Sequence, residues 1–190
     1  MRCSRLTRTK RAGRDRVNSD SCVAKQRKRS ETSLSQRELP PKGFTVAFVA
    51  KKNDDANTFT HSLAERITKK HSLSLERVRP SSNRSEELER LLKACRTRSR
   101  PKIIALDERG HALSSEDLAS LVADAADDGF GSVGFLVGGA LGLPHDMLHE
   151  RVDMCVKLSE MRMSHEVARI VLLEQLQRVI ALLRGEPYHS

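Results

Sequence analysis

A chain of 190 residues is long enough for one ordinary domain and a tail. It carries five Phe, one Tyr and no Trp, so a core must come from Leu, Val, Ile and Ala. The net charge of +9 is uneven: thirteen of the 34 Lys/Arg and four of the 25 Asp/Glu fall in residues 1–42, leaving twenty-one of each sign in 43–190, which excludes a bulk electrostatic argument for nucleic-acid binding by the larger part.

Residues 1–42 read as a disordered basic extension. Arg and Ser are frequent, large apolar residues are few, and such a segment cannot bury enough surface to offset its ordering entropy. An Arg-rich, Ser-rich, acid-poor leader also has the composition of an organelle transit peptide, so a mitochondrial address is expected ahead of a plastid one, with cytoplasm as the alternative. The cluster Lys25-Gln-Arg-Lys-Arg29 fits a phosphate-contacting arm as well.

Residues 43–190 alternate strand and helix patterns. Phe44–Ala50 is β-branched and aromatic, a first strand. Phe59, Leu63 and Ile67 share helical spacing, and Leu73–Val78 alternates as a second strand. Ser85 is placed to cap a helix with Leu88, Leu91, Leu92 and Cys95 on one face. A third strand is expected at Lys102–Leu106, closed by a turn over 107–110. Ser114-Ser-Glu-Asp117 is a capping-box pattern opening a helix with Leu118, Leu121, Val122 and Ala125 on one side. Strands at Ser132–Val137 and Val152–Leu158 flank a short helix that starts at Pro144. A last helix runs from about Ser164, apolar over a wide arc, and Gly185 and Pro187 end it. Strands alternating with helices predict an α/β fold, a parallel sheet with helices on both faces.

Few residues suggest chemistry by themselves. Gly138-Gly-Ala-Leu-Gly142 directly follows a strand, where glycines let the backbone turn and approach a ligand, but it matches neither a Walker loop nor a dinucleotide fingerprint. Asp107 and Glu108 read as a polar turn rather than a carboxylate pair. His145 and His149 are four apart, yet no third ligand is evident, and Cys3, Cys22, Cys95 and Cys155 have no paired spacing, so no metal is expected. No apolar run reaches the roughly 18–20 residues of a membrane helix, and no membrane partner is expected.

Taken together, Gly134-Phe-Leu-Val-Gly-Gly-Ala-Leu-Gly142, Leu158-Ser-Glu-Met-Arg-Met-Ser-His165, Glu174-Gln-Leu176 and Arg184-Gly-Glu-Pro-Tyr-His189, with Leu106-Asp-Glu-Arg-Gly110, stand in one order at one spacing. This set resembles the ribosomal large-subunit pseudouridine N3-methyltransferases (the RlmH type) of the SPOUT superfamily, over residues 43–190. The resemblance implies a C-terminal trefoil knot, a homodimer with sites at its interface, and S-adenosylmethionine-dependent methylation of large-subunit ribosomal RNA. By the same likeness, the cofactor would meet Leu106, Gly138, Gly139, Gly142, Leu158, Ser159, Glu160, Met161, Arg162 and Met163. Tyr188 and His189 would position the base and assist removal of its proton, and Arg169 would contact RNA or neutralise developing charge. Ala140, where Pro or Ser is familiar, Ser164, where Pro is common, Gln177, where Tyr is common, and Ser190, where a basic residue or His is usual, leave with the basic extension an alternative open: a catalytically reduced relative acting as a ribosome assembly or structural factor.

Overall fold

A computed structural model describes residues 33–52, 57–96 and 100–187. Most of the basic extension with its expected address, and Tyr188 and His189, lie outside the described residues.

Five parallel strands form one sheet: β1 (Phe44–Val49), β2 (Leu73–Val78), β3 (Pro101–Ala112), β4 (Ser132–Val137) and β5 (Met154–Lys157), in the order β2-β1-β4-β3-β5. Five helices connect and follow them: α1 (Asn57–Thr68), α2 (Arg84–Cys95), α3 (Ser115–Asp127), α4 (His145–Leu148) and α5 (His165–Leu183). The connection from β1 leads one way, to β2, while the connection from β4 leads the other way, past β3 to β5. That reversal is the place where open parallel sheets leave a crevice outside the strand carboxyl ends.

Side chains alternate across the sheet with period two. Phe44, Val46 and Phe48 of β1, Ile104 of β3, and Val133, Phe135 and Val137 of β4 join a core under α1, α3 and α5. Ala47, Val49, Ile103, Ala105 and Leu136 face the opposite way, onto Leu88, Leu91, Leu92 and Cys95 of α2 and Leu148 of α4. Helices therefore cover both faces, and the central strands β1 and β4 are buried along their whole length, while the edge strand β2 is only partly buried. Helix α5 turns Leu172, Leu173, Leu176, Val179, Ile180 and Leu183 inward, all buried. Each such side chain contributes about 1.5–3 kcal/mol relative to exposure.

Four boundaries differ from the sequence reading. Helix α2 is capped by Asn83, not Ser85: the Asn83 side chain accepts from the Ser85 and Glu86 amides at 3.0 and 3.3 Å. β5 starts at Met154, because Asp153 is engaged by its carboxylate and its amide with Ile103. β3 continues to Ala112 through the expected turn: Leu106 and His111 both oppose Val156, so the four residues between them bulge out of the ladder. Gly110 is required there, since a Cβ would lie 2.6 Å from the Cys155 carbonyl carbon and the Val156 nitrogen. Finally, the packed part begins before residue 43. Leu34 and Leu39 lie against the core, and Arg37 bridges Asp124 and Asp127 of α3, each at 2.5 Å.

The Pro40 corner also makes a pH-dependent contact. His71 stacks edge-on to Phe44, with centroids 5.4 Å apart, and its Nε2 donates to the Pro40 carbonyl at 3.0 Å. Burial holds this imidazole below its ordinary value of 6.5; the Pro40 bond opposes the shift and the Arg184 charge adds to it. A lowered folded-state value means the unfolded chain takes up the proton first as pH falls. The contribution is complete above about pH 6.5 and is lost as pH falls through the folded value. Urea unfolding at pH 7.5 and 5.5 should show this loss in the native chain and a smaller one in His71→Gln. Equal slopes in both chains would remove His71 from the account.

Candidate active site

The carboxyl ends of β3, β4 and β5 frame a cavity of about 590 Å³, within the range of small-molecule pockets. Three segments supply most of its wall: the β3 bulge from Leu106 to Arg109, the loop from Val137 to Leu143, and the run from Lys157 to His165. Arg84, His145, Glu166 and Ala168 complete it.

The glycine loop has its shape for local reasons. The Gly142 amide donates to the Gly139 carbonyl at 2.9 Å, closing a turn with Ala140 and Leu141 at its tip. Gly142 has φ +66°, a conformation that favours glycine. A Cβ on Gly138 would meet Gly142 and Leu143 main-chain atoms at 3.0 Å, so the strand end and the returning loop touch backbone to backbone. Ala140 stands second in the turn, a position where Pro is favoured but most residues fit.

The third segment is held similarly. The Met161 amide donates to Ser159 Oγ at 3.0 Å, and Ser164 caps α5 by accepting from the Val167 amide. Between these two bonds, Met161 is 77% exposed at the cavity mouth and Met163 is half-buried. Leu106, Val137, Leu143 and Leu158 supply further apolar wall.

The charged groups are arranged in pairs. Asp107 is nearly buried on the bulge, accepts the Arg109 amide at 2.8 Å, and lies 3.5 Å from His145 Nδ1. Glu108 pairs with Arg162 at 3.2 Å, Lys157 with Glu160 at 2.5 Å, and His165 with Glu166 at 2.9 Å. Behind the bulge, burial foremost and Asp107 second push the Cys155 thiol up to about 11, and burial pushes Cys95 up to about 12, so neither is a nucleophile near neutral pH. His145 and His149 face each other edge-on at 5.0 Å, and no cluster of three metal-ligating side chains occurs among the described residues.

Of the residues proposed for the cofactor, Leu106, Gly138, Gly139, Gly142, Leu158, Ser159, Met161, Arg162 and Met163 are brought together in this one wall. Glu160 is not among them. Its carboxylate turns to Lys157 and borders an adjoining depression of about 230 Å³ that shares Glu108, Arg109, Ser159, Met161 and Arg162 with the cavity. Arg169 is not part of this wall either: it is 1% exposed, stacks over the Phe48 ring at 4.3 Å, and donates from Nε to Thr60 Oγ1 at 3.0 Å. It stands three and four residues before the inward Leu172 and Leu173, so helical spacing carries it into the core and ties α5 to β1 and α1. Asp107, read as part of a polar turn, lies in the strand bulge and lines the cavity. Arg84 and Lys157 carried no site signal in the sequence, because only the fold brings them to the glycine loop.

The profile of the predicted SPOUT methyltransferase family matches residues 43–189. The chain belongs to the SPOUT methyltransferase family. It is similar to proteins named ribosomal RNA large subunit methyltransferase H. That of Syntrophotalea carbinolica is 47% identical over 88 residues, 46% of this chain and 56% of the relative. That of Syntrophobacter fumaroxidans is 34% identical over 134 residues, 68% of this chain and 82% of the relative. That of Geotalea daltonii is 42% identical over 106 residues, 56% and 67% of the two chains. The matched part thus spans little more than half the length of the first of these relatives. Among solved structures, the SpoU methyltransferase AviRb of Streptomyces viridochromogenes, in complex with AdoMet, aligns with a TM-score of 0.39 and 15% identity, over 74% of this chain and 61% of that one.

Proposed function

We propose that this chain methylates large-subunit ribosomal RNA, at N3 of a pseudouridine, using S-adenosylmethionine, as a homodimer with the SPOUT trefoil knot. The observation that carries the reading is the cavity at the ends of β3, β4 and β5, where the glycine loop and Leu158–Met163 meet in a chain of this family. The wall suits such a ligand. It combines apolar surface for an adenine ring, two loops that converge on the cavity, carboxylates at Asp107 and Glu108, and a cation at Arg162. When bound, S-adenosylmethionine supplies an activated methyl group. The chain's part is to position: Leu106, Leu158 and Met163 exclude water, and the two loops hold the ends of the ligand. A base N3 carries a proton that must leave, and Tyr188 and His189 are proposed to hold the base and take that proton. Exposed Phe59 on α1 and Val167 on α5, 57% and 46% exposed, support a second copy on this side of the molecule.

Two of the departures from the family pattern speak against a catalytically reduced relative. Ala140 fits its turn position, and Ser164 caps α5. Calorimetric titration of the full chain with S-adenosylmethionine should give micromolar binding with no more than one site per subunit. Sedimentation of the same sample should run at twice the chain mass of 21.3 kDa. Unmodified large-subunit RNA should then gain one methyl group. Absence of both binding and transfer would overturn the reading, and binding without transfer would favour the assembly factor.

A further inference from the structure

We infer that Arg84 is a positioning residue that sets the shape of the glycine loop for its ligand; this rests on the proposed cofactor site. Arg84 is the first residue of α2, on the face of the sheet opposite α5 and 58 residues from the loop in sequence. Its Nε donates to the Gly142 carbonyl at 3.3 Å, and its Nη2 donates to the carbonyl of Leu143. One planar guanidinium thus takes two consecutive carbonyls at the point where the loop turns back, immediately after the left-handed Gly142.

The anchor of this fork is itself fixed on three sides. Asn83 caps the helix through the Ser85 and Glu86 amides, Ser85 Oγ donates to Met147 Sδ of α4 at 3.2 Å, and the buried Glu87 carboxylate accepts the Ser81 amide at 2.7 Å. Glu87 also lies under the loop, with Oε2 3.5 Å from where a Cβ of Gly139 would stand. The loop has no regular secondary structure of its own beyond one turn, and Gly142 has nothing within 4 Å of its Cβ position. Arg84 therefore holds the returning Gly142–Leu143 segment by its carbonyls, the same segment that packs backbone to backbone on Gly138. Pointing those two carbonyls at Arg84 commits the orientation of the adjoining peptide planes, and with them the main-chain groups left to face the cavity. A cation already spent on main-chain carbonyls is a preorganising group, acting on the ligand through the loop.

The test compares full-length wild type, Arg84→Gln and Arg84→Lys by S-adenosylmethionine titration, thermal melting, and methyl transfer to large-subunit RNA. Gln keeps a donor but neither the fork nor the charge; Lys keeps the charge but cannot reach both carbonyls in a plane. The expected result is a Kd at least tenfold weaker in Arg84→Gln and intermediate in Arg84→Lys, with melting within a few degrees of wild type. KM for the cofactor should rise with Kd, and the rate at saturating cofactor should fall by less than KM rises. Wild-type Kd in Arg84→Gln overturns the inference, and so does a loss of Kd, rate and melting temperature in equal measure. If Arg84→Gln does not fold, Arg84→Lys decides: a wild-type Kd there overturns the fork. A wild-type chain that binds no S-adenosylmethionine overturns the cofactor site itself, and this reading of Arg84 with it.

Discussion

Gly138→Val will weaken S-adenosylmethionine binding roughly 5- to 150-fold while leaving the sheet folded. The Cβ would stand 3.0 Å from the Gly142 carbonyl carbon and from the Leu143 nitrogen and Cγ. Two of those three neighbours are backbone, so the loop must move instead of a side chain rotating aside. Overpacking of this kind costs about 1–3 kcal/mol, and each 1.4 kcal/mol is tenfold in affinity when the cost falls on the bound loop. Gly142→Ala makes a useful contrast. Nothing lies within 4 Å of its Cβ, and only the positive φ opposes the change, so a milder cost of about 1–2 kcal/mol is expected. Calorimetric titration beside a melting curve checks both. If Gly138→Val binds as wild type does, the loop is a plain strand-to-helix turn and the cavity loses its main functional wall.

The alternation of strands and helices was legible because each strand is a short apolar run bounded by turn residues, as in Phe44–Val49 and Ser132–Val137. The Ser114 capping box and the Ser164 cap were legible for a different reason, since both are made within four residues of chain. Apart from the Asn83 cap of α2, a local signal assigned to Ser85, what failed were contacts made at long range. Asp107-Glu-Arg-Gly110 has the composition of a turn. Only β5 beside it lets the strand bulge out and resume at His111, with Gly110 pressed on the Cys155–Val156 backbone. Arg169 reads as a surface residue, because burying a guanidinium is costly unless it is partnered; its partners Phe48 and Thr60 lie more than a hundred residues away in sequence.

The candidate site divides along the same line. The Gly138–Gly142 loop could be found from its glycines and its place after a strand. That Leu106 and Leu158–Met163 join it came from resemblance to a family, and the sheet order explains it: β3 lies between β4 and β5, so their three carboxyl ends are neighbours. Arg84, Lys157 and the Asp107–His145 pair had no local signature. Each is an ordinary polar residue made significant by what lies across the cavity.

His189→Ala and Gly138→Val should complement one another when mixed. The helix leading to Tyr188 and His189 begins at the cavity with His165 and ends on a Schellman motif: Gly185, at φ +64°, donates to Leu182, and Glu186 donates to Ala181 at 2.9 Å. Beyond it, Glu186 pairs with Lys70 and Arg184 reaches the Lys70 carbonyl, so the chain up to that point is tied to the turn before β2, at the far end of the sheet. From Ala168 to Arg184 the helix rises about 24 Å, whereas each further residue spans at most ~3.6 Å. Two residues beyond Pro187 add at most about 7 Å of reach. If Tyr188 and His189 assist the proposed transfer, they serve the cavity of a second copy. His189→Ala should then lower the rate by about 10²- to 10⁴-fold with cofactor binding unchanged. Gly138→Val, with cofactor binding weakened as above, should be inactive at a cofactor concentration that just saturates wild type. A random mixture of the two variants should recover about one quarter of wild-type activity, because half the dimers are mixed and each holds one intact site of two. Recovery measured by methyl transfer to large-subunit RNA would place the site between subunits. No recovery in a mixture proven to exchange subunits would remove the terminal pair from the shared site and return the proton transfer to groups of the cavity itself, with Asp107, Glu108 and His165 the nearest to hand.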